Sequence, residues 1–324
     1  MATCDGADFV DAQLQSLRAQ TEADWIALVS DDASVDNTLQ IVLRHAAEDP
    51  RIVVLDAHAR RQGIRANFAR LMAAALAQGA PLFALCDQDD LWDPEKIARL
   101  RAALGAEAEE ASAAPALAYA DLRLVGEQGA LLAASHFEHA GARNVKAGIG
   151  PWLLAHNLIP GCTLLGNRAL LELAHPIPPG VFHHDWWILL VAAAAGRVVA
   201  VDGVLTSYRQ HRANAIGAAG SRLRSLRFFR AFPSQLRAAR RQYAFAVVQA
   251  EALIELARSR PLCFTQAVWL DRAQAVHDGL GASNPVRRVC AALCGPVSRL
   301  GFARNVLFVA IALLPLERAV ARRS

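Results

Sequence analysis

The chain has 324 residues, 54% of them hydrophobic, with a mean hydropathy of +0.22 and a formal net charge of +4. That length suits one large α/β domain or one domain with an appendage, and Met1–Gly6 turns polar too soon for a secretory leader. Cysteines at 4, 86, 162, 263, 290 and 294 match neither a disulfide framework nor a paired zinc pattern, which points to a reducing cytoplasm. Cys290 and Cys294 lie one helical turn apart and are expected as small core residues.

The predicted elements alternate. WIALVSDDAS (25–34) reads as a buried strand that ends in polar residues, and DNTLQIVLRHAAED (36–49) as a helix with Asp36 at its cap. RIVVLDA (51–57) is a second strand, GIRANFARLMAAALAQGA (63–80) a helix closed by Gly79, and PLFALCD (81–87) a third strand. This order implies right-handed parallel crossovers, hence a doubly wound, mainly parallel sheet with helices on both faces. Residues 101–116 suit a helix and loop, and 116–132 a hairpin turning at Gly126–Gly129. An irregular stretch (133–160) follows, then helix and strand over 161–174 and 183–211.

In such a sheet, ligands bind beyond the carboxyl ends of the strands. Two acidic clusters fall there, Asp31–Asp32 and Asp87–Asp90. Within LFALCDQDDLWDPEKI (82–97), an apolar run stops at Cys86 and three carboxylates follow within four positions. Like charges this close repel and lose hydration when recessed. A divalent metal is the simplest cation to resolve that conflict. The plain alternative is a solvated acidic turn that caps a helix at Asp93–Pro94.

Five segments in order, SDDASVDNT (30–38), CDQDDLW (86–92), GCTLLGNRALL (161–171), HDWWILLVAAAAG (184–196) and SYRQHRANAIG (207–217), resemble the inverting family 2 glycosyltransferases. The resemblance is strongest to the bacterial rhamnosyltransferase-like branch that builds surface polysaccharide, and it covers about residues 1–217. It implies a GT-A fold, a nucleotide-sugar donor, Mg²⁺ or Mn²⁺, and a glycan or lipid-linked acceptor. Rhamnose from a dTDP donor is favoured by the resemblance alone.

By motif position, Asp89 resembles the metal ligand and Asp87 the carboxylate that holds the donor ribose, while Asp90 orients the loop or touches the sugar. Asp31, with Asp32 beside it, resembles the contact to base or ribose; its structural alternative is helix capping. Asp185 stands where the family places its catalytic base, with His184 in place of the usual acidic residue before it. Its structural alternative is an N-cap for the helix that follows. His211 resembles a further metal or diphosphate contact, with Arg209, Gln210 and Asn214 either lining the diphosphate or closing the lid. Trp186 and Trp187 suit either a sugar-facing platform or the core. One departure concerns the start: only Met1–Thr3 precede Cys4–Asp5–Gly6, so the first strand is expected to be short and base recognition through Thr3 is affected.

Charge is unevenly shared. Residues 220–324 hold 17 Lys and Arg against 5 Asp and Glu, or +12, which leaves −8 for the first 219 residues. A basic helical appendage over 218–324 is therefore expected beside a GT-A domain over 1–217. Its longest uncharged apolar stretch, Val306–Leu316, is short of the roughly 20 residues that a span needs. Interleaved Arg, Phe and Leu suit an anionic lipid interface, so the expected place is cytoplasmic and peripheral on the inner membrane face. Solvated helices packed on the body are the alternative. Nucleic acid is not expected, for want of a reader motif and because the acidic face would repel phosphate. Two other functions compete: a nucleotidyl- or phospho-transferring enzyme with a similar acidic metal site, and a sugar-nucleotide-binding scaffold without turnover.

Overall fold

A computed structural model of the protein describes residues 1–110, 112–181, 183–211, 227–294 and 311–313. The chain divides into two compact units. The first comprises Met1–Phe137, Ile159–Pro176 and Val198–Ala218; the second comprises Glu138–Leu158, Ile177–Arg197 and Ala219–Ser324. Where the sequence suggested one boundary after residue 217, residues 138–158 and 177–197 are grouped with the basic tail.

The first unit opens with three parallel strands, β1 (Ala2–Thr3), β2 (Ala27–Asp31) and β3 (Ile52–Val54), in that spatial order. Helix α1 (Val10–Arg18), which the sequence reading did not single out, connects β1 to β2, and α2 (Thr38–Glu48) connects β2 to β3. The N-cap of α2 is Asn37 rather than the expected Asp36, whose Oδ1, one residue earlier, accepts the Thr38 N–H at 3.0 Å. Val10, Leu14 and Leu17 of α1 bury against Val29, Val42 and Ile52, and Cys86 and Trp92 complete that core. The periodicity is the familiar one: every third or fourth residue of the helix faces the sheet.

Helix α3 (Ile64–Gln78) then leads to β4 (Leu82–Ala84), and it ends as expected at Gly79, whose φ of +74° is a left-handed cap. The Ala2 N–H donates to Cys86 O at 3.1 Å, so the stretch just after β4 runs beside β1. From there the pairing changes. The remaining strands are β5 (Leu91–Trp92), β6 (Ala116–Gly126), β7 (Leu131–Ala133), β8 (Leu164–Asn167) and β9 (Arg197–Gln210). They make a second sheet ordered β4-β8-β6-β9-β5, with β7 on β6. β4 and β6 both pair antiparallel with β8, and β5 pairs antiparallel with β9. The α/β class and the parallel portion stand, and the later strands add an antiparallel half. The hairpin β6–β7 turns where Gly126 and Gly129 place it, with φ +85° at Gly129. Helix α4 (Lys96–Leu104) covers this sheet through Leu100 and Leu104, against Ala116, Ala118, Leu165 and Leu205. Short helix α5 (His136–His139) follows the hairpin, and α6 (Arg168–Ala174) follows β8, capped by the Asn167 side chain.

The second unit is helical: α7 (His184–Ala195), α8 (Arg227–Ser259), α9 (Ala267–Leu280) and α10 (Pro285–Cys294). Every residue of α7 from Trp186 to Ala195 is buried, as an all-apolar helix requires. Trp186 and Trp187 are each 1% exposed and the Trp186 indole donates to Leu153 O, so both are core residues and neither is a sugar platform. Cys290 is exposed, against the expectation of a core position. Among the described residues no helix is long and apolar enough to cross a membrane. Asn214 and much of the basic tail (212–226, 295–310 and 314–324) lie outside the described residues.

Gly166 of β8 sits opposite Phe83 of β4, and a Cβ built there would lie 2.6 Å from the Phe83 ring. Gly166→Ala is therefore predicted to destabilise by about 1–3 kcal/mol, the usual cost of overpacking. A denaturation midpoint equal to that of the wild type would show that β4 and β8 are less tightly packed than this.

Candidate active site

Two loops at the carboxyl edge of β1, β2 and β4 are built from polar residues that satisfy one another. Asp31 ends β2 and is 1% exposed. Its Oδ1 accepts the hydroxyls of Thr3 at 2.9 Å and Ser34 at 2.6 Å, and its Oδ2 accepts the Ser34 N–H at 2.9 Å. Thr3, at the end of β1, thus orients Asp31. Asp32 points the other way: it accepts the N–H of Gln62 at 2.7 Å and of Gly63 at 2.8 Å, pinning the segment that starts α3. Gly63 has φ +87° with open space where a Cβ would be. The two neighbouring aspartates therefore do different work, one at the strand end and one on the adjoining loop.

Gln88 joins the β1 loop to the β4 loop. Its side-chain oxygen accepts the Cys4 N–H at 2.8 Å and its amide donates to Cys4 O at 2.9 Å, a two-point bond to the backbone of one residue. Gly6 makes room for it, since a Cβ there would fall 2.2 Å from Gln88 Cδ. The sequence showed Gln88 inside the acidic motif, but its partner lies 84 residues away and no local pattern reveals such a bond.

The acidic loop itself divides into two groups. Asp89 faces His211: the carboxylate Oδ2 and imidazole Nε2 are 2.7 Å apart. Phe9 stacks on that imidazole, with centroids 4.4 Å apart and planes at 31°. Arg209, two residues earlier and so on the same side of the extended chain, donates Nε–H to Asp89 O at 3.1 Å and Nη1–H to Glu127 O at 2.7 Å. Its backbone N–H reaches Asp90 Oδ1 at 3.3 Å. Gln210 lies between them and ends β9. The end of β9 is thereby laced onto the acidic loop.

The second group is Asp87, Asp90 and Cys162, whose ligating atoms all lie within 4.8 Å of one another. Asp90 is buried, and its Oδ2 meets no donor at hydrogen-bond geometry. Burial first, and then the Asp89 charge, push its carboxyl up to about 7. Burial together with the Asp90 and Asp87 charges raises the Cys162 thiol well above its ordinary value. The carboxylate oxygens of this group, and the neighbouring Asp89 with its His211 imidazole, are donors that suit Mg²⁺ or Mn²⁺. The buried Asp90 Oδ2, which meets no donor, is the observation that suits a cation beside it.

Asp185 belongs to the second unit and lies in the first turn of α7. The N-cap position is His183, and Asp185 Oδ1 accepts the Trp186 N–H at 2.7 Å. Burial lowers His184 to about 4, leaving it a neutral imidazole beside Asp185 at neutral pH.

Comparison with known proteins bears on the fold and the family. Residues 1–124 match the family model for glycosyl transferase family 2. The dTDP-rhamnosyl transferase RfbG of Shigella flexneri is 26% identical over 230 residues, which is 67% of this chain and 74% of RfbG. The uncharacterized protein Rv1520 of Mycobacterium tuberculosis is 27% identical over 209 residues, 63% of this chain and 56% of that protein. Among solved structures, the mannosyltransferase PcManGT from Pyrobaculum calidifontis, in complex with GDP-Man and Mn²⁺, is 16% identical with a TM-score of 0.52, over 99% of this chain and 85% of that one. S. aureus TarS 1–349 with UDP is 14% identical with a TM-score of 0.50, over 100% and 89%. The fold is that of a GT-A glycosyltransferase. Residues 1–124 are thus similar to glycosyl transferase family 2, and about two thirds of the chain is similar to RfbG.

Asp90 also makes a stability prediction. Its carboxyl keeps a proton up to about pH 7 when folded and only to the ordinary 3.8 when unfolded. Its contribution is therefore fully present below that lower value and lost as pH rises through the higher one. In chelator, Asp90→Asn should gain stability relative to wild type between pH 4 and pH 8. Parallel melting profiles across that range would contradict the burial argument.

Proposed function

We propose that this chain transfers a sugar, with inversion, from a nucleoside-diphosphate donor to a glycan or lipid-linked acceptor, using Mg²⁺ or Mn²⁺. The observation that carries the reading is the Asp89–His211 pair beside Asp87 and Asp90 at the carboxyl edge of the sheet. A bound cation would neutralise the charge that builds on the leaving diphosphate, and Asp89 and His211 would hold it. Asp87 takes the donor ribose and Asp90 orients the loop towards the sugar.

Thr3, Asp31 and Asp32 form the nucleoside side. Three donors occupy Asp31, out of about four acceptor positions on a carboxylate, so one remains for base or ribose. Arg209 and Gln210 line the diphosphate side, and the bonds from Arg209 to Asp89 O and Glu127 O support a role in holding the loop there. Asp185 takes the proton from the acceptor hydroxyl as that oxygen attacks C1 of the sugar. The bond from C1 to the diphosphate breaks on the opposite face, and this single displacement inverts the centre.

The match to RfbG favours rhamnose from a dTDP donor. Residues 1–217 would carry these motifs. The +12 charge of residues 220–324 favours contact with an anionic membrane on its cytoplasmic face, where a lipid-linked acceptor is held.

Asp89→Ala should remove Mn²⁺-dependent donor binding, read as the thermal shift with a panel of nucleoside diphosphates, while the chelator-treated protein melts as wild type does. Transfer that is indifferent to chelator would overturn the metal assignment. For Asp185, the Asn variant separates base from helix support, because Asn serves a helix start as well as Asp but cannot accept the proton. Turnover should fall about 10²–10⁴-fold with nucleotide affinity kept. Near-normal transfer would place the base elsewhere.

A further inference from the structure

Lys96, the first residue of α4, is 1% exposed, an unusual place for an ammonium. Its Nζ lies 3.4 Å from the centroid of the Trp92 ring and donates to Cys162 O. The same carbonyl accepts the Thr206 hydroxyl at 3.3 Å, and Thr206 is itself the cross-strand partner of Trp92 in the β5–β9 pair. Two buried donors therefore converge on the peptide oxygen of the residue whose thiol lies in the Asp87–Asp90 group. Burial lowers Lys96 to about 8, opposed by the nearby Cys162, Cys86, Asp90 and Asp87, so it remains charged at neutral pH.

Packing alone does not account for this. A leucine or methionine would cover Trp92 without the desolvation that a buried charge incurs. What an ammonium adds is a fixed positive charge and a directional bond behind carboxylates that otherwise repel. In a dry interior such a charge acts over several ångströms.

We propose that Lys96 is a positioning residue for the acidic loop: by tying the Cys162 peptide to Trp92, with its charge close to Asp87 and Asp90, it holds the loop in the shape that presents Asp89 to a divalent metal. The proposal rests on the metal reading given above. Residues that support metal ligands from behind typically change metal affinity 10–100-fold when replaced. Lys96 touches neither donor nor acceptor in this account and acts through Cys162 and the loop.

The test is titration of Mn²⁺ alone into the full chain, with the melting midpoint in chelator measured in parallel. Lys96→Met keeps the apolar stem on Trp92 and should bind Mn²⁺ about 10–100-fold more weakly, while the midpoint in chelator stays within a few degrees of wild type. Thr206→Val removes the second donor to the same carbonyl and should weaken Mn²⁺ in the same direction, by less. A folded Lys96→Met with wild-type Mn²⁺ affinity overturns the proposal, as does a lowered midpoint with unchanged affinity, which is the signature of a packing residue. Should Lys96→Met fail to fold, Thr206→Val decides, and unchanged affinity there overturns it. A wild-type chain that binds neither Mn²⁺ nor Mg²⁺ removes the metal reading itself and this inference with it.

Discussion

Three carboxylates sit within four residues where the β4 segment leaves the sheet, and one of them, Asp90, is buried. That arrangement is costly unless positive charge and hydrogen-bond donors are brought to it from elsewhere in the chain. The surrounding structure supplies them from several sequence-distant places. His211 meets Asp89, Arg209 donates to the Asp89 carbonyl and Asp90, and Lys96 stands behind the loop on Trp92. None is near the acidic loop in sequence except Lys96. The antiparallel β5–β9 pair brings the end of β9 alongside, because it returns the chain to the loop from the opposite direction.

The loop is shaped as well as charged. Gln88 binds both the N–H and the C=O of Cys4, and the missing side chain of Gly6 admits it. Phe9, at the start of α1, gives the His211 ring a surface to lie on. In this way the β1 turn, the acidic loop and the end of β9 each limit the conformations of the others. A carboxylate cluster held by three separate segments has less freedom left to lose when a ligand orders it.

Much of this was legible in the sequence. The short strands ending at Asp31 and Ala84, the helix closed by Gly79 and the hairpin at Gly126–Gly129 all follow from periodicity and turn chemistry, which are local. The antiparallel half was not, because strand direction depends on which distant strands pair. The partners of Gln88, Lys96 and Thr206 were hidden for the same reason. DPEKI reads as an ordinary polar helix start, and nothing in it says that Lys96 is buried. Trp186 and Trp187 left two readings open, and burial on all sides of α7 resolved them in favour of the core. The paired functions of Asp31 and Asp32 also required coordinates, since two adjacent carboxylates of a strand end look alike until their donors are known.

The central claim is that the crowded carboxylates are a half-built divalent-cation site completed by His211. Electron spin echo spectroscopy of the chain loaded with Mn²⁺, with histidine labelled by ¹⁵N, tests it most directly. The account predicts a directly bound imidazole nitrogen in the wild type that disappears in His211→Gln. A bound Mn²⁺ that shows only oxygen ligands, or a nitrogen signal that survives that substitution, would contradict it.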